Sequence, residues 1–160
     1  MENLLSSRRP NLSDSLVYAV ALLRALVAAF VCAFICHVTE VYAGIYSTAL
    51  TFLTALAMAH AVYLADKTTA PDEWQLQLAI LMMVVTALLS EMISSCYYID
   101  LGYLDIIKYC SSASFVLAAL KIAILSFVDS VDGFINLLFW LCSIWGLYSA
   151  YKDRFCTSAK

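Results

Sequence analysis

The feature that most constrains this chain is a succession of five long apolar runs with almost nothing between them. They cover residues 15–38, 42–65, 74–98, 104–127 and 131–151. Each reaches the ~20 residues that an α-helix needs to cross a ~30 Å hydrocarbon layer. Inside lipid the backbone must satisfy its own N–H and C=O groups, which leaves helices or closed barrels. Barrel strands alternate apolar and polar residues with period two over about ten positions. These runs stay apolar for longer, which predicts helices. The links are short, at 39–41, 66–73, 99–103 and 128–130, so consecutive helices are expected to be antiparallel neighbours. The expected fold is all-α, a polytopic transmembrane helical bundle of five spans, alternatively four. It occupies 15–151, between a short tail at 1–14 and another at 152–160.

Composition agrees. Hydrophobic residues make up 64% of the chain and charged residues 13%, against roughly 45–50% and 25% for a soluble domain. A chain this apolar cannot hide its hydrophobic surface from water by itself, so the lipid bilayer is its expected partner and an integral membrane its location. The net charge of -3 comes with no basic stripe, which argues against a nucleic-acid partner. The first run is too long for the apolar core of a cleaved signal peptide and contains Arg24, so it reads as a signal-anchor helix. None of Cys32, Cys36, Cys96, Cys110, Cys142 and Cys156 forms a C-x-x-C pair. Neither a redox dithiol nor a zinc knuckle is suggested. Cysteine otherwise behaves as a small apolar packing residue.

The number of spans fixes which side each end faces. Arg8, Arg9, Lys67, Lys152, Arg154 and Lys160 share one side if the number of crossings is even, and the positive-inside rule then makes both ends cytoplasmic. In that case the run 104–127 does not cross. It is the run with Asp105, Lys108 and Lys121. Its uninterrupted apolar stretch after Phe115 argues the other way, for a fifth crossing.

An ionisable side chain within a span is costly and therefore a candidate for function. Arg24 lies nine residues into the first run, roughly 14 Å deep at 1.5 Å per residue. It suits an ion contact, an interhelical pair, or a side chain that snorkels. Glu91 and Lys108 lie about equally far from the link between the third and fourth runs. A five-span hairpin would place them at one depth as a pair. Lys121 is a further candidate. His37 and His60 both lie late in their runs, which on antiparallel helices puts them near opposite membrane faces and makes a poor haem or metal pair. His60 reads as a satisfied core histidine. Ser47, Thr51, Ala55 and Ala59 recur every four residues, a stripe of small side chains that admits another helix closely. The stretch 68–73 has the composition of a helix start, with Thr68 or Thr69 as cap and Pro71 in the first turn. Tyr42, Tyr97, Tyr98 and Tyr103 are expected at one interface, and Tyr63, Trp74, Tyr148 and Tyr151 at the other. Cys156, just past the last run, is a candidate for lipidation. No catalytic grouping, metal site or cofactor motif is visible.

The last run reads Gly133, Phe134, Ile135, Asn136, Leu137, Leu138, Phe139, Trp140, followed by Trp145, Tyr148 and Lys152. It resembles the final helix of the synaptophysin branch of the MARVEL-domain family, over about 20 residues of the 160. The resemblance implies four spans, cytoplasmic termini, a place in vesicle membranes or membrane apposition, and no catalytic residues. The expected function is that of a non-enzymatic membrane protein. It would organise a membrane or serve as an accessory subunit, packing against other transmembrane helices in a homo-oligomer or a larger complex. The alternative is a small channel or transporter subunit that uses Arg24, Glu91, Lys108 and Lys121.

Overall fold

The computed structural model describes the backbone of residues 12–43, 48–63 and 73–158, and the side chains of 16–43, 50–62 and 73–151. Among the described residues there is no strand. The helices are α1 (Leu12–Ala43), α2 (Thr48–Tyr63), α3 (Glu73–Tyr98), α4 (Tyr103–Tyr109), α5 (Ala113–Asp129) and α6 (Val131–Ser158). Three of them carry segments long and apolar enough to cross a membrane: Leu16–Ala43, Glu73–Tyr98 and Val131–Tyr151. Leu50–Val62 of α2 is apolar but shorter.

α3 is the axis of the bundle and touches each of the other helices. α1 and α3 run parallel and in register. At one end Tyr18 packs edge-on against Trp74, with ring centroids 4.5 Å apart. At the other, His37 meets Ser94. α2 lies antiparallel between them, α6 packs on α2 and α5, and α5 returns along α3. The close α1–α3 approach has a plain cause. Ala21, Ala25, Ala29 and Ala33 are all fully buried, so one face of α1 presents only methyl groups to its neighbours. Met58 and Met83, also fully buried, fill the irregular spaces with unbranched side chains.

The sequence-based boundaries need two corrections. The break expected at 39–41 is absent, and α1 continues to Ala43. Thr39 donates its hydroxyl to the carbonyl of Ile35 at 2.9 Å, so the polar side chain is satisfied without leaving the helix. The run 104–127 is two helices rather than one. Its apolar length is interrupted by Cys110, Ser111 and Ser112, where Ser111 donates to the carbonyl of Lys108 and Ser112 adopts extended backbone. Serines that bond the nearby backbone compete with helix continuation. Among the described residues three helices, not five, are long and apolar enough to cross a membrane. α5, with 17 residues, sits at the lower limit of ~17–25 for a crossing. The last run keeps its bounds, Val131–Tyr151, and its helix continues beyond them to Ser158. The start of α3 expected at 68–72 lies outside the described residues, as does Ser47.

Two turns hold the α3–α6 half together. After α3 the N–H of Asp100 bonds the carbonyl of Tyr97, and that of Leu101 bonds Cys96. This is a Schellman ending, with Asp100 in the left-handed region at φ 62°. Between α5 and α6, Ser130 is extended and accepts the Gly133 N–H on its hydroxyl at 2.9 Å, an N-cap bond. A Cβ on Gly133 would overlap the backbone carbonyl of Ser126. The absence of a side chain there lets the two helices meet.

Candidate functional site

The period that turns alanines inward on α1 also turns His37 inward, four residues after Ala33, and it is fully buried. Its Nδ1 lies 3.0 Å from the Ser94 hydroxyl and its Nε2 3.1 Å from that of Tyr103. Ser94 in turn donates to Glu40 Oε2 at 2.8 Å. Ser94 has a single proton, which goes to Glu40, so its oxygen accepts from His37. The donors and acceptors close with a neutral imidazole protonated on Nδ1 that accepts the Tyr103 hydroxyl on Nε2. The result is a chain from Tyr103 at the start of α4, through α1 and α3, to a carboxylate one turn from the end of α1.

Aromatic rings cover the outer end of this chain. Tyr103 stacks on Tyr97 at 5.8 Å and packs edge-on to Phe34 at 5.9 Å. Tyr97 also meets Tyr42 at 6.5 Å. Three of the four tyrosines expected at that interface, Tyr42, Tyr97 and Tyr103, thus form a cluster, while Tyr98 is exposed. Burial, together with the hydrogen bond and negative charge of neighbouring Tyr42, pushes the Tyr103 phenol above its ordinary range, which keeps it a proton donor.

A second polar centre lies deeper. Glu91 is buried at 8% exposure. Its Oε2 accepts from Ser126 of α5 at 2.9 Å and its Oε1 from the Asn136 amide of α6 at 2.8 Å. Ser126 also approaches the Ala123 carbonyl at 2.7 Å. Between the two centres is a cavity of about 30 Å³, with Glu40, Thr51, Ser90 and Asn136 as its polar lining and Cys36, Leu50 and Trp140 completing the wall. α1, α2, α3 and α6 each contribute. A void needs only ~10–15 Å³ to hold a water. Glu40 and Glu91 lie within electrostatic reach of each other across this region.

Of the candidates Arg24, His60, Glu91, Lys108 and Lys121, only Glu91 is buried, and the described members of the small-residue stripe also face the interior. Thr51 and Ala55 are buried and Ala59 packs partly against the core. Thr51 accepts from Ser143 of α6 at 2.9 Å. Arg24, Lys108 and Lys121 are exposed. The expected Glu91–Lys108 pair does not form: Glu91 takes its donors from α5 and α6, while Lys108 points outward from α4. His60 is exposed as well. The buried face of α2 runs through Thr51, Ala55, Met58 and Val62, and His60 falls on the other side. The side chain of Cys156 lies outside the described residues. Among the described residues no group of His, Cys, Asp and Glu can hold a metal ion by itself.

No family model matches the chain, and comparison with curated proteins and with solved structures gives no match either.

Proposed function

We propose that the chain is a multi-pass integral membrane protein with four crossings, α1, α2, α3 and α6, in which α4 and α5 form an excursion that leaves and returns at one face. The support is the position of Glu91, seven residues before the end of α3. Ser126 near the end of α5 and Asn136 near the start of α6 both bond it. The α5–α6 junction therefore sits in the same half of the bundle as the end of α3, where α4 begins. Four crossings put Arg8, Arg9, Lys67, Lys152, Arg154 and Lys160 on one side, in keeping with the positive-inside rule. They also agree with the MARVEL-like reading of α6. Tags at the two ends of the chain in intact cells should report the same, cytoplasmic side; opposite sides would overturn the topology.

Within that topology the protein acts without catalysis, as a membrane-organising or accessory subunit. One observation carries this. The span windows of α1 and α6 are 22% buried, against 50% for α3, so the outer helices offer most of their apolar surface to lipid or to other helices. Phe30 and Leu141, 58% and 52% exposed, mark these faces. A photo-crosslinking residue at either position in native membranes is expected to give a discrete protein adduct. Adducts with lipid alone at both positions would refute the subunit role.

The second reading is a small channel or transporter subunit, favoured by the hydrated-size cavity. It would use Glu40, Glu91 and His37 rather than Arg24, Lys108 and Lys121. Ion flux in liposomes that is unchanged in a Glu40→Gln variant would remove it.

A further inference from the structure

Ser90 is 5% exposed and lines the cavity, and among the described residues no hydrogen-bond partner for its hydroxyl is found. A buried hydroxyl without a partner is unusual and costly. Asn136 is half-buried; its Nδ2 is held by Glu91, and among the described residues its carbonyl oxygen has no donor. Glu40 completes the lining with a carboxylate whose only side-chain donor is Ser94. The cavity thus gathers a carboxylate and two oxygens, on Ser90 and Asn136, that lack donors among the described residues, and Arg24, Lys108 and Lys121 are exposed elsewhere on the bundle.

We propose that this cavity binds a small monovalent cation of Na⁺ size, with the Glu40 carboxylate supplying the charge and Thr51, Ser90 and the Asn136 carbonyl supplying neutral oxygen ligands. Hard cations choose such oxygens. A divalent ion is disfavoured, because one carboxylate lines the space and Ca²⁺ takes six to eight oxygens. The competing occupant is one water beside a protonated Glu40, which would also satisfy Ser90 and Asn136; it predicts no saturable Na⁺ binding, and the titration below separates the two. Glu91 acts from behind: by holding the amide nitrogen of Asn136 it fixes which end faces the cavity, the role that outer-shell partners play at metal sites. The inference rests on the helix packing and not on the accessory role, so the crosslinking result leaves it untouched.

The full chain, purified in zwitterionic nanodiscs, would be titrated with NaCl against choline chloride at constant ionic strength while thermal unfolding and ²²Na⁺ binding are followed. A saturable rise in Tm and saturable ²²Na⁺ binding are expected, both weaker with K⁺ as competitor. Ser90→Ala removes a hydroxyl that has no partner among the described residues, so the variant should fold. Its apparent Na⁺ affinity should fall ~tenfold, the worth of one bond to a charged group. Glu40→Gln should abolish binding, and exposed Ser114→Ala should change nothing. No saturable ²²Na⁺ binding, an equal response to choline, or an unchanged affinity in Ser90→Ala would overturn the proposal.

Discussion

Glu91 is the point at which three helices are tied, and its removal can be worked through in a cycle with Asn136. Asn136→Leu takes one of the two donors from a carboxylate that is 8% exposed. A bond to a charged group is worth ~1.5–3 kcal/mol in soluble proteins. Interhelical bonds in bilayers average only ~0.6 and reach ~1.7 kcal/mol. The carboxylate keeps Ser126 as its single donor, so the loss belongs at the upper end of the bilayer range, ~1.5 kcal/mol. Glu91→Met takes away both bonds but orphans only one group. Ser126 falls back on the Ala123 carbonyl 2.7 Å away, and the Asn136 amide alone is stranded, at ~1–2 kcal/mol. The double variant strands neither partner, because replacing both members by apolar groups is often nearly neutral. The two effects should therefore fail to add by at least ~1 kcal/mol. Reversible unfolding in mixed micelles, followed by circular dichroism, reads all four corners of the cycle. Additivity to within ~0.5 kcal/mol would refute the Glu91–Asn136 tie. Lys108→Met serves as control. It lies on an exposed surface of α4 and should shift stability by no more than ~0.5 kcal/mol.

Gly133→Ala sets two effects against each other. Alanine favours a helix by ~1 kcal/mol, but its Cβ would overlap the Ser126 carbonyl, and overpacking costs ~1–3 kcal/mol. Backbone yields less readily than a side chain, so the same unfolding assay should show net destabilisation. Asp100→Gly relieves an L-residue held at φ 62° and should stabilise by ~0.5–1 kcal/mol; a lower midpoint would show that the Asp100 side chain matters more than the turn. Because the Tyr103 phenol is raised in the folded protein, its contribution is intact below the ordinary tyrosine range near ~10 and is lost as pH rises through the folded value. Stability above that range should fall less steeply in Tyr103→Phe, and an unchanged alkaline limb would exclude Tyr103 as its source.

The helices were legible because a bilayer-length apolar run leaves the backbone little choice. What was not legible was which runs stay a single unbroken helix. The Ser111-Ser112 pair that breaks the fourth run was visible, yet a hydropathy reading passes over two serines. The stripe on α2 was picked out while the more closely packed one on α1, Ala21 to Ala33, was missed, because alanine is common throughout the chain. Extending that stripe by one more turn would have reached His37 and identified it as interior. By hydropathy Glu40 falls in the link 39–41, which hides the carboxylate of the cavity. Lys108 pairs with Glu91 only by counting residues from a turn. Such counting assumes a straight hairpin, and the α4–α5 break removes that assumption. Ser90, Ser126 and Asn136 carry no sequence signal of their own, since a lone serine or asparagine in an apolar run also occurs as simple packing.

The two halves of the α1–α3 seam differ in a way that bears on function. From Tyr18 and Trp74 up to Ala33 the seam is methyl groups against α3, backed by Met58 and Met83 with no exposed surface. Interiors packed in this way hold few voids as large as a water. From Cys36 onward the same two helices enclose polar groups, the cavity, and the chain ending at Tyr103. Ions or water reaching Glu40 from the α4 face would thus meet a closed apolar seam before the opposite face. A conducting pore needs a path through both halves, whereas a site that binds and reports needs only one. In this conformation the one-sided arrangement favours a cation-occupied, helix-packing subunit over a channel. It also places the charge change at the end of α1 and beneath the α4–α5 excursion, where occupancy of the cavity could alter how that excursion packs against a partner.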